Sequence, residues 1–167
     1  MNTSVFIKAH ALASSVHQNQ EYGGLPYIFH PTRVANRLGA KLQRYHPYED
    51  VLFIMTLGIL HDVVEDALPI QLWAVEAEIV SMDDRLLPLV RALSRRAGVN
   101  YRDYIDTIEE SGHLLRLVKL CDLYDHLIHS ATLPASMKRR YESAYICLSG
   151  DTFWNRNDDL FRRKPPL

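Results

Sequence analysis

Cysteine is scarce: Cys121 and Cys147 are the only two in 167 residues, and neither stands in a C-x-x-C pair. Thiolate zinc sites and dithiol redox motifs are thereby excluded, and two unpaired cysteines fit a reducing compartment. Charge of one sign is lacking too. Lys and Arg number 19 against 20 Asp and Glu, a formal net charge of -1, so neither nucleic acid nor an acidic membrane surface is an expected partner. The one late basic cluster, Arg162-Arg163-Lys164, sits in a Pro-ended tail and reads as a solvated terminus. Long apolar runs are missing. The longest, Val51 to Leu60, is about half of what a bilayer span requires. The first residues, MNTSVFIKAHALASS, are interrupted by Lys8 and His10 and do not read as a signal peptide. The expectation is a soluble, cytoplasmic protein. Period-two alternation is absent as well, so no strand is expected.

Hydrophobic residues make up 47% and charged residues 23%, the balance of a globular chain that can bury a core without disulfides. The apolar spacing is helical almost throughout. A first helix is expected from about Thr3 to Gln20, stopped by Tyr22-Gly23-Gly24-Leu25-Pro26. Pro31 suits the first turn of a second, with Val34, Leu38 and Leu42 as its buried stripe. A third spans roughly Glu49 to Asp66. Eight of the ten residues from Val51 to Leu60 are apolar, which predicts a central helix buried nearly all round. Pro69 opens a fourth. Asp83-Asp84 cap a fifth that reaches Arg96, before Gly98. Further helices are expected over Tyr101 to Glu110, Leu114 to His129 and Ala135 to Leu148. The fold class is all-α, a single bundle of about seven or eight helices over residues 1–150, with 151–167 a C-terminal tail.

The dipeptide His61-Asp62 gains meaning from its position, at the end of the buried third helix. An imidazole and a carboxylate there lose their water, and burying unpaired charge is costly unless something compensates. A divalent cation does so. Glu65 lies four residues after His61 and Asp66 four after Asp62, spacings that share a helix face. A ligand pair on one turn is thus followed by two carboxylates on the next. A hydrolase needs that combination: an ion to hold water and a carboxylate to move its proton. Two further ligand candidates are His30, just before a helix start, and Asp122, on an amphipathic helix. Two imidazoles and two carboxylates without a thiolate suit manganese, iron or cobalt better than structural zinc.

Taken in order, H-x-x-Q (His17, Gln20), P-Y-I-x-H-P-x-x-V-A (Pro26 to Ala35), L-H-D-V-V-E-D (Leu60 to Asp66) and V-K-L-x-D-L (Val118 to Leu123) resemble the hydrolase domain of RelA/SpoT-type alarmone enzymes and the small alarmone hydrolases. The resemblance covers roughly the first 130 residues. It implies the all-α HD fold, metal ligands at His30, His61, Asp62 and Asp122, and an acidic catalytic pair at Glu65 and Asp66. The implied activity is removal of 3′-pyrophosphate from guanosine tetra- or pentaphosphate with manganese, and the implied partner is a small phosphorylated nucleotide. The sequence departs from the family in two places. The basic Arg-Lys pair ahead of the family's first turn has no counterpart in Gln20-Glu21-Tyr22-Gly23-Gly24. His126 stands where the family usually has Asn.

Around this centre, Lys119, Tyr101, Arg33, Tyr22 and His126 are candidate substrate contacts. Lys119, Tyr101, Arg33 and His126 have a plainer alternative as surface or packing residues. Arg37 shares the helical face of Arg33. His17 and Gln20 are expected to brace the site. Two rival readings stay open. One keeps the site but changes the substrate, making the chain a nucleotidase or a hydrolase of another signalling nucleotide. The other is a non-catalytic nucleotide-binding module on the same scaffold. Oligomeric state is not legible in the sequence.

Overall fold

A computed structural model describes residues 2–150. The tail over 151–167, with its Arg162-Arg163-Lys164 cluster, lies outside the described residues. Eight helices of eight or more residues and one four-residue helix carry the fold: α1 (Thr3–Val16), α2 (Phe29–Leu42), α3 (Tyr48–Leu60), α4 (Val63–Asp66), α5 (Leu72–Met82), α6 (Leu86–Leu93), α7 (Tyr101–Glu110), α8 (His113–Ile128) and α9 (Ala135–Ser149). No helix among the described residues is long and apolar enough to cross a membrane.

At the centre α2 lies against α3 and α8. Val34, Leu38 and Leu42 of α2 are buried, as their spacing predicted, and α3 is buried along most of its length from Val51 to Leu60. Leu38, Leu57, Ile59, Leu60, Leu123 and Leu127 are among the fully buried side chains that fill the middle. The close approach of α2 and α3 depends on Gly58. A Cβ there would stand 2.7 Å from Leu38 Cδ1 and 3.3 Å from Ala35 Cα.

The expected boundaries shift in four places. α1 ends at Val16, and the stretch read as a plain turn is a small antiparallel hairpin, β1 (Glu21–Tyr22) and β2 (Leu25–Pro26). Gly23 and Gly24 turn it with φ of +62° and +76°, a region glycine enters without penalty. Two-residue strands are too short to show alternation, so the hairpin left no periodic trace. The third expected helix is two: α3 stops at Leu60, and α4 restarts at Val63. The His61 ring takes part in that break, donating from Nδ1 to the Gly58 carbonyl at 2.8 Å. α5 begins at Leu72 rather than at Pro69, which lies in a turn ahead of it. α6 begins at Leu86 and closes at Leu93, short of Arg96. Asp83 holds its approach by accepting from the Arg85 amide at 3.0 Å.

Candidate metal centre and substrate cavity

Four elements meet at the centre. His30 stands in the first turn of α2, His61 and Asp62 at the α3–α4 break, and Asp122 in the middle of α8. Asp122 Oδ1 lies 3.1 Å from His30 Nε2 and 3.6 Å from His61 Nε2. Asp62 Oδ2 lies 3.0 Å from His61 Nε2 and 3.8 Å from His30 Nε2. Ligand atoms of His30, His61 and Asp122 all fall within 4.8 Å of one another, and Asp62 adjoins this tight trio.

The two rings are held so that the same nitrogen of each faces the centre. His30 donates from Nδ1 to Asp125 Oδ2 at 2.9 Å, and His61 donates from Nδ1 to the Gly58 carbonyl. A donor already spent on the far side leaves the Nε2 lone pair toward the site, the arrangement of metal-binding histidines. His30 Nε2, His61 Nε2 and Asp122 Oδ1 are buried with no hydrogen bond of good geometry. Buried polar atoms are seldom left so. Three of them in one place fit a divalent cation, and the all-N/O donor set fits manganese, iron or cobalt.

Charge is concentrated there. Burial disfavours ionisation of His61, yet Asp62 and Asp122 raise its pKa well above 6.5. Burial likewise opposes charge on Asp122, but Lys119 and His126 hold its carboxyl well below the ordinary range. Lys119 Nζ sits 2.7 Å from Asp122 Oδ2. Asp66 behaves differently: burial, with Asp62 and Glu65 nearby, pushes its carboxyl up to about 6. His17 and Gln20 brace it. The His17 Nδ1–H donates to Gln20 Oε1 at 2.7 Å and lies 3.5 Å from Asp66 Oδ2, and Gln20 hydrogen-bonds Asp66 in turn. Glu65 Oε2 accepts from the Arg95 amide at 2.8 Å.

Asp62, Glu65, Asp66 and Asp122 all line a cavity of about 450 Å³, together with Tyr22, Tyr101, Lys119 and His126. That volume is in the range of small-ligand sites. The hydroxyl of Tyr22 donates toward the carbonyls of His126 and His129, 3.1 Å from each, and fastens the hairpin to the end of α8. The His126 ring stacks on His30 at 4.3 Å between centroids, with Nε2 3.1 Å from Asp122 Oδ1. Arg33 is placed differently from the phosphate contact entertained for it. Its guanidinium is committed to Asp125, with Nε 2.9 Å from Oδ1 and Nη2 2.8 Å from Oδ2, and it does not line the cavity. Arg37 lies over the Tyr124 ring.

The sequence reading passed over Asp125, Tyr27, Arg95 and Arg140. Asp125 joins His30 to Arg33, and together they pull its carboxyl down to about 2 against the effect of burial. Its signal was there to read, one helical turn after Asp122 on the same buried face. Tyr27, inside the quoted P-Y-I-x-H-P stretch, donates its hydroxyl to Asp62 Oδ2 at 2.7 Å. Arg95 and Arg140 line the cavity from the α6–α7 connection and α9. No local pattern marks them, because only tertiary packing brings them in.

No family model matches this chain, and no curated protein sequence does. Among solved structures the chain is similar to a protein described as a metazoan ortholog of SpoT that hydrolyzes ppGpp and plays a role in starvation responses. The TM-score is 0.68 at 21% identity, over 90% of this chain and 88% of that one. The likeness extends along nearly the whole of both chains, so the shared property is the fold, an all-α bundle.

Proposed function

We propose that this chain is a metal-dependent phosphohydrolase acting on a phosphorylated nucleotide, with a 3′-pyrophosphorylated guanosine as the first substrate to test. One observation carries the reading: three buried ligand atoms from separate parts of the chain, His30 Nε2, His61 Nε2 and Asp122 Oδ1, meet without hydrogen bonds, and Asp122 with the adjoining Asp62 lines a cavity. The same motifs that resemble the alarmone hydrolases supply those atoms, and the structural neighbour's described activity on ppGpp points to the same substrate class.

His30, His61, Asp62 and Asp122 would hold a divalent ion, manganese first and iron or cobalt as alternatives. Such an ion supplies an electrophile that acidifies water and polarises a phosphoryl oxygen. The protein does the rest. Asp66, with a pKa pushed up to about 6, is suited to take a proton from water near neutrality. Glu65, fixed by the Arg95 amide, orients the attacking water beside it. Lys119 presents a buried ammonium toward the phosphoryl oxygens, where charge develops. Tyr27 keeps Asp62 in place from behind.

The test is manganese-loaded protein given guanosine tetraphosphate, with pyrophosphate and orthophosphate release followed separately. Pyrophosphate release is expected from the wild type, and loss of both turnover and manganese binding from Asp122→Ala. Full turnover by that variant would sink the reading. Gln20 and Glu21, neither of them a cation, line the cavity in the stretch where the resembled family has its Arg-Lys pair. That favours, as a second reading, a different nucleotide in the same site. Orthophosphate from a nucleoside monophosphate, with the alarmone untouched, would establish it. Tight nucleotide binding without any turnover would instead make the chain a binding module.

A further inference from the structure

Beside the cavity over the metal centre lies a second one of about 380 Å³, and Tyr101 and Arg140 line both. These two residues, from the start of α7 and from α9, stand at the junction, with the Arg140 guanidinium 5.3 Å from the Tyr101 ring centroid. The cations of the first cavity differ in their commitments. Lys119 is bound to Asp122, and the Arg95 guanidinium donates to the Val99 carbonyl at 2.9 Å. Among the described residues Arg140 has the ring contact and no carboxylate partner. The Tyr101 hydroxyl beside it is buried with no hydrogen-bond partner. An unpaired guanidinium and an orphaned phenol at one place are the donors that a phosphate group recruits. Beyond them the second cavity is walled by Ile105 and Ala144 and edged by Asn100 and Ser143, a mixed surface that suits a sugar or base edge.

Resting on the reading of the site as a nucleotide hydrolase, we propose that the second cavity receives the distal end of the nucleotide, with Arg140 and Tyr101 binding the phosphate that is not cleaved. The substrate then bridges two cavities: its 3′ end lies at the metal centre and its 5′ phosphate at the junction. Specificity for a doubly phosphorylated nucleotide thereby resides on α9, rather than in the first turn of the chain, where Gln20 and Glu21 stand.

The test is equilibrium binding to manganese-loaded protein carrying Glu65→Gln in every arm, with guanosine 3′,5′-bisphosphate and guanosine 3′-monophosphate as probes. The parent should prefer the bisphosphate by about tenfold or more, the scale of one charge-assisted contact. Arg140→Ala should bring that ratio close to one while leaving the monophosphate affinity unchanged, which also reports an intact fold. Arg140→Lys should restore part of the preference. Ser143 is exposed at the edge of the second cavity, so Ser143→Trp should reduce bisphosphate affinity by obstructing it. A parent without preference, or an Arg140→Ala protein that keeps the full ratio, overturns the proposal. An unchanged ratio in Ser143→Trp removes the second cavity from it. The two readings fail separately. Absence of any turnover by wild-type protein alongside a collapsed ratio sinks the catalytic reading alone, and turnover with an unchanged ratio sinks this one alone.

Discussion

At the scale of single residues, the centre works through side chains that face away from it as much as through those that face it. Asp125 never reaches the ligand atoms, yet it fixes the His30 tautomer and neutralises Arg33. Asp125→Asn should therefore weaken manganese binding roughly 10- to 100-fold, the usual cost of losing a carboxylate behind a ligating histidine. Titration calorimetry measures it, and unchanged affinity would remove Asp125 from the site. Asp66 makes a pH prediction. Its pKa is raised on folding to about 6, so the folded state holds a proton more tightly than the unfolded chain. That contribution is fully present below the unfolded pKa and is lost as pH climbs through 6. Asp66→Asn keeps the Gln20 contact and removes the charge. It should stabilise the protein at pH 7 by on the order of 1–2 kcal/mol, discounted for partial exposure, and by almost nothing at pH 4. Urea melts at the two pH values decide it.

At the scale of elements, two glycine-dependent features aim the site. Gly58 lets α3 approach α2 closely, and that approach sets the distance from His30 to His61. Gly58→Ala drives a methyl group into Leu38 and the Ala35 backbone. The expected loss is about 1–3 kcal/mol of stability, typical of overpacking a tight core, with weaker metal binding because the helices must part. A melt indistinguishable from wild type would show that the contact has slack. The hairpin depends on Gly23 and Gly24 for its backbone, with open space around both. Gly24→Ala should cost about 1 kcal/mol through φ strain alone. It should also loosen Tyr22 from the end of α8, an effect readable as faster proteolysis in the hairpin with little change at α2.

At the scale of the whole molecule, the proposed ligands span 92 residues in sequence, from His30 to Asp122, and come from helices that pack around one core. An ion that tied them together would bind the folded chain and not the unfolded one. Manganese at about a hundred times its dissociation constant should add roughly 2.7 kcal/mol and raise Tm by about 5–10 °C, and a chelator should reverse it. No shift would argue against an ion at this centre. Much of this architecture is legible in the sequence. Helical periodicity is a local property, so the helices of the bundle, the burial of α3 and the stripe Val34, Leu38, Leu42 follow from spacing alone. That His30, His61, Asp62 and Asp122 lie together was expected from the resemblance carried by several motifs in order, and the four side chains do meet. Other features are set by contacts between distant segments. Arg33 pairs with Asp125 instead of facing the cavity, the hairpin closes over His126, and α9 brings Arg140 to the Tyr101 ring. Local spacing says which face of a helix a side chain occupies. Which partner it meets there depends on the packing of the other helices, and only the tertiary structure decides that.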